Sequence, residues 1–197
     1  MPIGRAVASA ECQLAGGRVR DGAGRTDYRS PVSELAVRPV LPAEYDALGD
    51  LVVAAYRSVP GDDHISPSYE ESLRDVGARA RDALVLVAVD EDGLLGGVTY
   101  VPGPGPFAEL ERDGDAGIRM LAVSPSAHRR GVGRRLVEAC IDRARADGRS
   151  RIVPHTAASM TAAQALYVGL GFVRAPHLDG LVPAVSLMAY TLDLDGR

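Results

Sequence analysis

The sequence contains no lysine, asparagine or tryptophan, and only two cysteines among its 197 residues. Without lysine there is no Schiff-base nucleophile and no phosphate-binding lysine of a P-loop, so pyridoxal-phosphate enzymes and ordinary P-loop nucleotidases are excluded. Cys12 and Cys140 lie far apart and form no Cys-x-x-Cys pair, so no disulfide framework is expected. No apolar run approaches the roughly 20 residues of a membrane-spanning helix, so no membrane partner is expected.

The charge is mildly acidic and dispersed along the chain. All 22 basic residues are arginine and the formal net charge is −4, so a broad basic surface for nucleic acid is not indicated. The first residues include no apolar signal-peptide core, and we therefore expect a cytoplasmic protein. The histidines show no metal-ligand spacing, so no metal site is predicted.

Two regions differ in composition. Residues 1–33 are rich in glycine and arginine and are predicted to be a disordered tail, although they need not belong to the native protein. Residues 34–197 alternate strand and helix patterns, which indicates a single α/β domain. Strands are predicted at 35–40, 84–89, 94–101, 117–123, 151–153, 172–173 and 185–194. Helices are predicted from Pro42 to a stop at 60–63, and at 67–82, 132–147 and 160–170.

The most informative segment is the short loop between strand 117–123 and the helix that begins near Val132. It contains Gly131 and Gly133. The first turn of a helix presents unpaired N–H groups and a positive dipole, and glycine lets an anion approach the backbone, so we predict a pyrophosphate site. The alternative is that the glycines only shape the turn. A dinucleotide-binding fingerprint needs a third glycine and a P-loop needs a Gly-Lys pair, and neither is present.

This segment resembles the acetyl-CoA-binding motif of the GCN5-related N-acetyltransferases (GNAT), Gln/Arg-x-x-Gly-x-Gly/Ala, with His128 at the Gln/Arg position. Residues 163–172 are similar to the A-x-x-L-Y-x-x-x-G-F signature of the same family. Met160 stands where that family often has asparagine. The two motifs follow the family's order and spacing, and the resemblance covers about four fifths of the chain.

The resemblance implies a single mixed, twisted β-sheet flanked by helices, splayed open between the strands at 117–123 and 151–153. In this family the pantetheine arm of acetyl-CoA enters the splay and pairs with the first of these strands. The implied cofactor contacts are Leu121, Ala122 and Val123 for the arm, and His128, Arg129, Arg130, Gly131, Val132, Gly133 and Arg134 for the pyrophosphate.

The resemblance also implies direct attack of an amine on the thioester, with Tyr167 as the general acid that protonates the departing thiolate. The alternative for Tyr167 is ordinary packing on an apolar helix face. Strand 117–123 has no carboxylate to act as base. His155, placed just past strand 151–153, and the loop carboxylates are the candidates for the base, and the amine could also bind neutral or lose its proton to water.

The expected function is transfer of acetyl from acetyl-CoA, without a metal, to a primary amine of a small molecule or peptide. Two alternatives stay open, a non-catalytic acyl-CoA-binding or regulatory module and an enzyme that uses a longer acyl-CoA. Acidic residues in the loops suggest a cationic acceptor; they are Asp62, Asp63, Glu109, Glu111, Asp113 and Asp115. The oligomeric state also stays open, with a homodimer as one option.

Overall fold

The computed structural model of the chain describes residues 34–59, 65–108, 111–182 and 185–195. Within these ranges the chain forms eight strands and five α-helices. The strands are β1 (Ala36–Pro39), β2 (Leu84–Asp90), β3 (Gly93–Val101), β4 (Asp115–Val123), β5 (Arg151–Ala157), β6 (Val173–Arg174), β7 (Gly180–Val182) and β8 (Val185–Asp193). The helices are α1 (Tyr45–Arg57), α2 (Pro67–Arg74), α3 (Val76–Asp82), α4 (Val132–Ala146) and α5 (Thr161–Gly169).

The strands form one mixed sheet in the order β1-β2-β3-β4-β5-β8-β6, with β7 also paired to β8. β4 and β5 run parallel, whereas the other neighbouring strands are antiparallel. A parallel pair needs a crossover connection, and α4 provides it. The predicted fold, a single mixed sheet flanked by helices, is confirmed.

The sheet carries a separate apolar core on each face, because side chains alternate between the faces along each strand. On one face, here the α4 face, α4 buries its predicted apolar stripe, including Leu136 and Cys140. On the other, the α1 face, α1 packs through Leu48 and Val52. Leu48 lies so close to Gly97 of β3 that a Cβ there would meet its Cδ1 atom at 2.6 Å.

β4 and β5 pair along only part of their length. Their register begins at Asp115 with Arg151 and ends at Ile118 with Pro154. Beyond that point the two strands separate, at the position where the splay is predicted. The residues that follow the last pair are Arg119 and His155.

A β-bulge accompanies the separation. The β3–β4 register passes from Thr99 with Arg119 to Gly97 with Ala122, so one residue of β3 faces two of β4. The bulge lies at Met120, whose φ of 50° falls in the left-handed region that few non-glycine residues adopt. A bulge bends its strand and increases the local twist, which turns the end of β4 away from β5.

The predicted helix over 67–82 is wrong in one respect, because the chain breaks it into α2 and α3. Asp75, with a ψ of 74°, leaves the helical region and its carboxylate caps α3 by accepting from the Ala78 N–H at 2.7 Å. The buried Arg79 guanidinium donates to the carbonyl oxygens of Ser72 at 2.6 Å and Leu73 at 2.9 Å. Hydrogen bonds therefore stabilise both helix ends at the break, from Arg79 at the end of α2 and from Asp75 at the start of α3.

The predicted strand 151–153 is too short, since β5 continues to Ala157. The ladder with β8 continues past Pro154 and resumes at His155 with Ala189. His155 therefore lies inside a strand rather than after it. After β6, a 3-10 turn at Pro176–Leu178 and then β7 precede β8, and the sequence analysis predicted neither of them.

Several predictions fall outside the described residues, namely the tail at 1–33 and the helix stop at 60–63. Among the residues that the structure does describe, no helix combines the length and apolar character needed to cross a membrane.

Candidate acetyl-CoA site

A cavity of about 490 Å³ lies where β4 separates from β5. One wall is the end of β4 and the loop that follows it, and the other is the start of α5. Nine of the ten predicted cofactor contacts line this cavity, and Arg130 is the exception. The remaining lining residues come from α1 and its end (Ala55, Tyr56, Ser58, Val59), from the loop (Ala127) and from the α5 side (Ser159, Met160, Thr161, Ala162, Ala163, Leu166).

The loop after β4 presents backbone amides to the cavity. After a 3-10 turn at Pro125–Ala127, Gly131 serves as the N-cap of α4 with a φ of 81°, in the left-handed region. The Arg135 N–H donates to the Gly131 carbonyl at 3.0 Å, so the three amides before Arg135 precede the first helical hydrogen bond. Those amides and the helix dipole favour an anion at this point.

Gly131 and Gly133 serve this loop for different reasons. A Cβ on Gly131 would meet no atom within 4 Å, so its glycine is required by the positive φ rather than by space. A Cβ on Gly133 would meet Leu166 Cδ2 at 3.4 Å, on the opposite wall of the cavity. A side chain at Gly133 would therefore narrow the gap between the two walls, whereas one at Gly131 would not.

The arginines around the loop divide into two groups. Arg130 is held by Asp90 at 2.6 Å, and it lowers the pKa of that carboxyl. Arg134 donates to the Gly169 carbonyl at 3.1 Å and approaches Glu138 at 3.5 Å. Arg129 lines the cavity with a φ of 61° and makes no side-chain hydrogen bond or ion pair within the described residues. Arg129 is thus the arginine best placed for a phosphate.

His128 also lines the cavity, and its Nε2 atom lies 3.2 Å from the Val123 carbonyl oxygen. The imidazole therefore connects the loop to the end of β4. Its position supports the loop's shape.

Tyr167 lies on α5 in the α4 face, with 2% of its surface exposed. Its ring packs against Phe172 at 5.5 Å and Tyr190 at 5.9 Å between centroids. Burial raises the pKa of its hydroxyl, so the group stays protonated. Tyr167 does not itself line the cavity, whereas its α5 neighbours Ala163 and Leu166 do.

His155 lies on the opposite face of the sheet from Tyr167. It shares its face with Val153, because side chains alternate along β5, and Val153 belongs to a small core with Ala189. Both ring nitrogens are buried and have no hydrogen-bond partner within the described residues. Burial and the positive charge of Arg119 lower the pKa of His155 to about 3, well below the ordinary value near 6.5.

Two of the loop carboxylates are less available than the sequence suggested, whereas Asp113 is exposed. Glu111 is fully buried and pairs with Arg119 at 2.5 Å. Asp115, which belongs to β4, accepts two hydrogen bonds from Arg151 at 2.9 Å and 2.8 Å. Asp62, Asp63 and Glu109 lie outside the described residues. The negative charges of Glu111 and Asp115 are therefore already balanced by arginines.

The sequence analysis did not predict the Glu111–Arg119 pair. The one local signal for it is the glycine at position 117. A Cβ on Gly117 would clash with the Glu111 carboxylate, so glycine is needed for that carboxylate to lie over β4. Within the described ranges, no three His, Cys, Asp or Glu side chains are grouped so that they could hold a metal ion.

With the cavity and loop described, the chain can be compared with known proteins. It belongs to the acetyltransferase (GNAT) family, whose sequence profile matches residues 46–172. It is an N-acetyltransferase of the GNAT type, and its cofactor is acetyl-CoA. The open amides, Gly131 and the cavity are the features of this chain that fit the cofactor's pyrophosphate and arm.

Solved structures share this fold. The protein yncA from Salmonella typhimurium, solved with its cofactor acetyl-CoA, is 21% identical, with a TM-score of 0.60 over 83% of this chain and 95% of that one. A GCN5-related N-acetyltransferase from Kribbella flavida is 27% identical, with a TM-score of 0.57 over 81% of this chain and 98% of that one. A GNAT acetyltransferase from Staphylococcus aureus Mu50 is 12% identical, with a TM-score of 0.67 over 82% of this chain and 99% of that one. No curated protein matches the chain.

Proposed function

We propose that the protein transfers an acetyl group from acetyl-CoA directly to a primary amine of a small molecule or peptide. The observation that carries this proposal is the cavity beside the end of β4, whose β4 wall and loop contain nine of the ten expected cofactor contacts. A cavity lined by β4 and its loop on one side, and by α1 and the start of α5 on the others, has one wall for a thioester and room for an acceptor beside it.

In this proposal the N–H groups at the start of α4 bind the pyrophosphate, and Arg129 adds a charge-assisted contact to a phosphate. The backbone of Leu121, Ala122 and Val123 aligns the pantetheine arm, and the bulge at Met120 exposes that backbone. Acetyl-CoA supplies the acetyl group in an activated thioester. The other predicted contacts, His128, Arg130 and Arg134, hold the loop through the partners described above.

Tyr167 is the proposed general acid. Its raised pKa keeps it protonated, and two aromatic neighbours hold its ring in one position. A proton donor on the α4 face and an acceptor that enters from the α1 face would lie on opposite sides of the opening. That arrangement suits direct transfer, because the amine and the departing thiol need separate positions.

The assignment of His155 as the base stays a prediction, and its pKa of about 3 counts against it. A base with so low a pKa would hold a proton from an ammonium group only briefly at neutral pH. We therefore propose that the amine binds in its neutral form or loses its proton to water.

The test is a turnover screen with the full chain and acetyl-CoA, in which the acceptors are amino acids, aminoglycosides, polyamines and protein N-termini. Release of the CoA thiol measures turnover. We expect turnover with at least one of these amines. Binding of CoA by calorimetry without turnover on any amine would favour the alternative, a non-catalytic acyl-CoA-binding module.

A further inference from the structure

His155 and Arg119 lie where β4 and β5 begin to separate, and neither is among the residues that line the cavity described above. They follow the last β4–β5 pair, Ile118 with Pro154. Arg119 of β4 pairs with Thr99 of β3. Thr99 lies on the same face of β3 as Gly97, which is two residues away and contacts Leu48 of α1. His155 and Arg119 therefore share the α1 face, opposite Tyr167.

The imidazole of His155 has unused hydrogen-bonding capacity. A neutral imidazole has one N–H donor and one nitrogen acceptor, and both nitrogens are buried here without a partner within the described residues. Leaving buried polar groups unpaired is unfavourable, and native proteins rarely do so without a ligand or water. The position where β4 and β5 separate indicates that an acceptor substrate could supply those partners.

The charged groups beside His155 are already balanced. On one side, Arg119 pairs with the buried Glu111 at 2.5 Å and donates to the Ile118 carbonyl at 3.0 Å. On the other side, Arg174 donates two hydrogen bonds to Asp179, at 2.7 Å and 2.6 Å. The formal charges of these two pairs sum to zero.

Asp179 has a further constraint, since one of its oxygens also accepts from the Ala189 N–H at 3.0 Å. Ala189 is the residue of β8 that pairs with His155. The Asp179 carboxylate is therefore committed to the sheet edge next to the imidazole. It is not free to meet an ammonium group of a substrate.

We propose that His155 is a specificity-determining residue that binds an uncharged polar group of the acceptor, an amide or a hydroxyl, rather than a second ammonium group or a carboxylate. This inference rests on the proposed function. A charged group brought to this place would lose its hydration beside pairs that are already neutral, and would gain no free counter-charge. An amide or hydroxyl can both donate to and accept from the imidazole. The acceptor is thus expected to differ from the cationic one that the acidic loops suggested.

The test compares four amines of similar length in acetyl-CoA turnover: β-alaninamide, butylamine, diaminopropane and β-alanine. It uses the full chain and two variants, His155→Leu, which removes both nitrogens, and His155→Gln, which keeps a donor and an acceptor. We expect the parent protein to prefer β-alaninamide. His155→Leu should lower kcat/KM for β-alaninamide about tenfold more than kcat/KM for butylamine, and His155→Gln should restore most of that difference.

A second readout keeps the inference separate from the proposed function. Propionamide has no amine, so its binding to the CoA-loaded protein does not depend on turnover. NMR titration measures that binding. Weaker binding of propionamide to His155→Leu than to the parent supports the inference, whether or not any amine is acetylated. Absence of turnover with every amine would reject the proposed function without affecting this result. Equal binding of propionamide to both proteins, an equal loss for all four amines, or a preference for diaminopropane or β-alanine overturns the inference. Thermal unfolding of each variant checks that it folds.

Discussion

The proposed phosphate loop, which joins β4 to the first turn of α4 (residues 124–134), and the surroundings of His155 both lie near the separation of β4 from β5, yet they are assembled differently. The loop and its β4 wall come from one continuous segment, residues 121–134. The groups around His155 come from a loop before β4 (Glu111), from β4 (Arg119) and from the turn before β7 (Asp179). Because the two regions share few residues, cofactor binding and acceptor selection should be separable by mutation.

The largest expected effect concerns the chemical step alone. Tyr167→Phe removes the proposed proton donor but keeps the ring between Phe172 and Tyr190, so kcat should fall by about 100-fold while the affinity for CoA is unchanged. Steady-state turnover and calorimetry measure the two quantities.

The matched control for that experiment is Tyr190→Phe, which removes a hydroxyl from the neighbouring ring of the same aromatic cluster. Its kcat should stay within about threefold of the parent. Equal losses in the two variants would show that the cluster matters for packing and that Tyr167 has no special role.

The second effect separates the phosphate loop from the rest of α4. Gly131 and Gly148 flank the two ends of this helix, each has a positive φ, 81° and 65°, and neither would place a Cβ within 4 Å of another atom. Replacing either by alanine should cost about 1 kcal/mol in the free energy of unfolding, because alanine disfavours that region. Only Gly131→Ala should also weaken CoA binding, by about tenfold, since only that residue shapes the phosphate loop.

Calorimetric titration with CoA and chemical denaturation of both variants measure the two effects. A loss of CoA affinity in Gly148→Ala as large as that in Gly131→Ala would mean that helix strain, and not loop shape, controls binding.

The same contrast explains how far the sequence could be used. Gly131, Gly133 and the stripe of α4 sit within one short segment, where local spacing and backbone chemistry are enough to predict strand, turn and helix. The structure places nine of the ten predicted contacts around one cavity, and their role in cofactor binding stays a prediction. The A-x-x-L-Y-x-x-x-G-F segment likewise identifies α5 because its helix and stop are local.

The acceptor side could not be predicted in this way. The predicted strand ends at Val153, whereas β8 continues the ladder past it, so the placement of His155 depends on a partner strand far along the chain. The Glu111–Arg119 pair joins a loop to a strand, and no spacing rule identifies it. The bulge at Met120 has no glycine to signal it.

The third effect concerns electrostatics at the phosphate loop. Arg129 lines the cavity without a protein partner in the described residues, so Arg129→Gln should weaken CoA binding by about fivefold and reduce its dependence on salt. Arg145→Gln, at the far end of α4, is the control because it removes the same charge away from the loop. An equal loss of CoA affinity in both variants would mean that Arg129 acts only through the net charge of the protein and not through a contact with a phosphate. Titrations at two salt concentrations distinguish the two outcomes.

The smallest effect concerns acid and the surroundings of His155 alone. The pKa of His155 in the folded chain is lowered to about 3 by burial and by Arg119, partly offset by Asp179, whereas an exposed histidine titrates near 6.5. Between these values the unfolded chain binds the extra proton, so folding stability decreases as the pH falls. From pH 6.5 to 5.5 this contribution should be under about 1 kcal/mol, because His155 is only partly buried.

His155→Gln should remove that part of the slope, and His177→Gln should keep it, since His177 is exposed on the turn before β7. Urea denaturation of the parent and both variants at the two pH values gives the slopes. The affinity for CoA should change with pH by the same amount in all three proteins, because the phosphate loop contains no part of this cluster. If the free energy of unfolding of His155→Gln depends on pH as strongly as that of the parent, the imidazole of His155 is not a buried neutral group. The electrostatic difference between the phosphate loop and the surroundings of His155 would then be wrong.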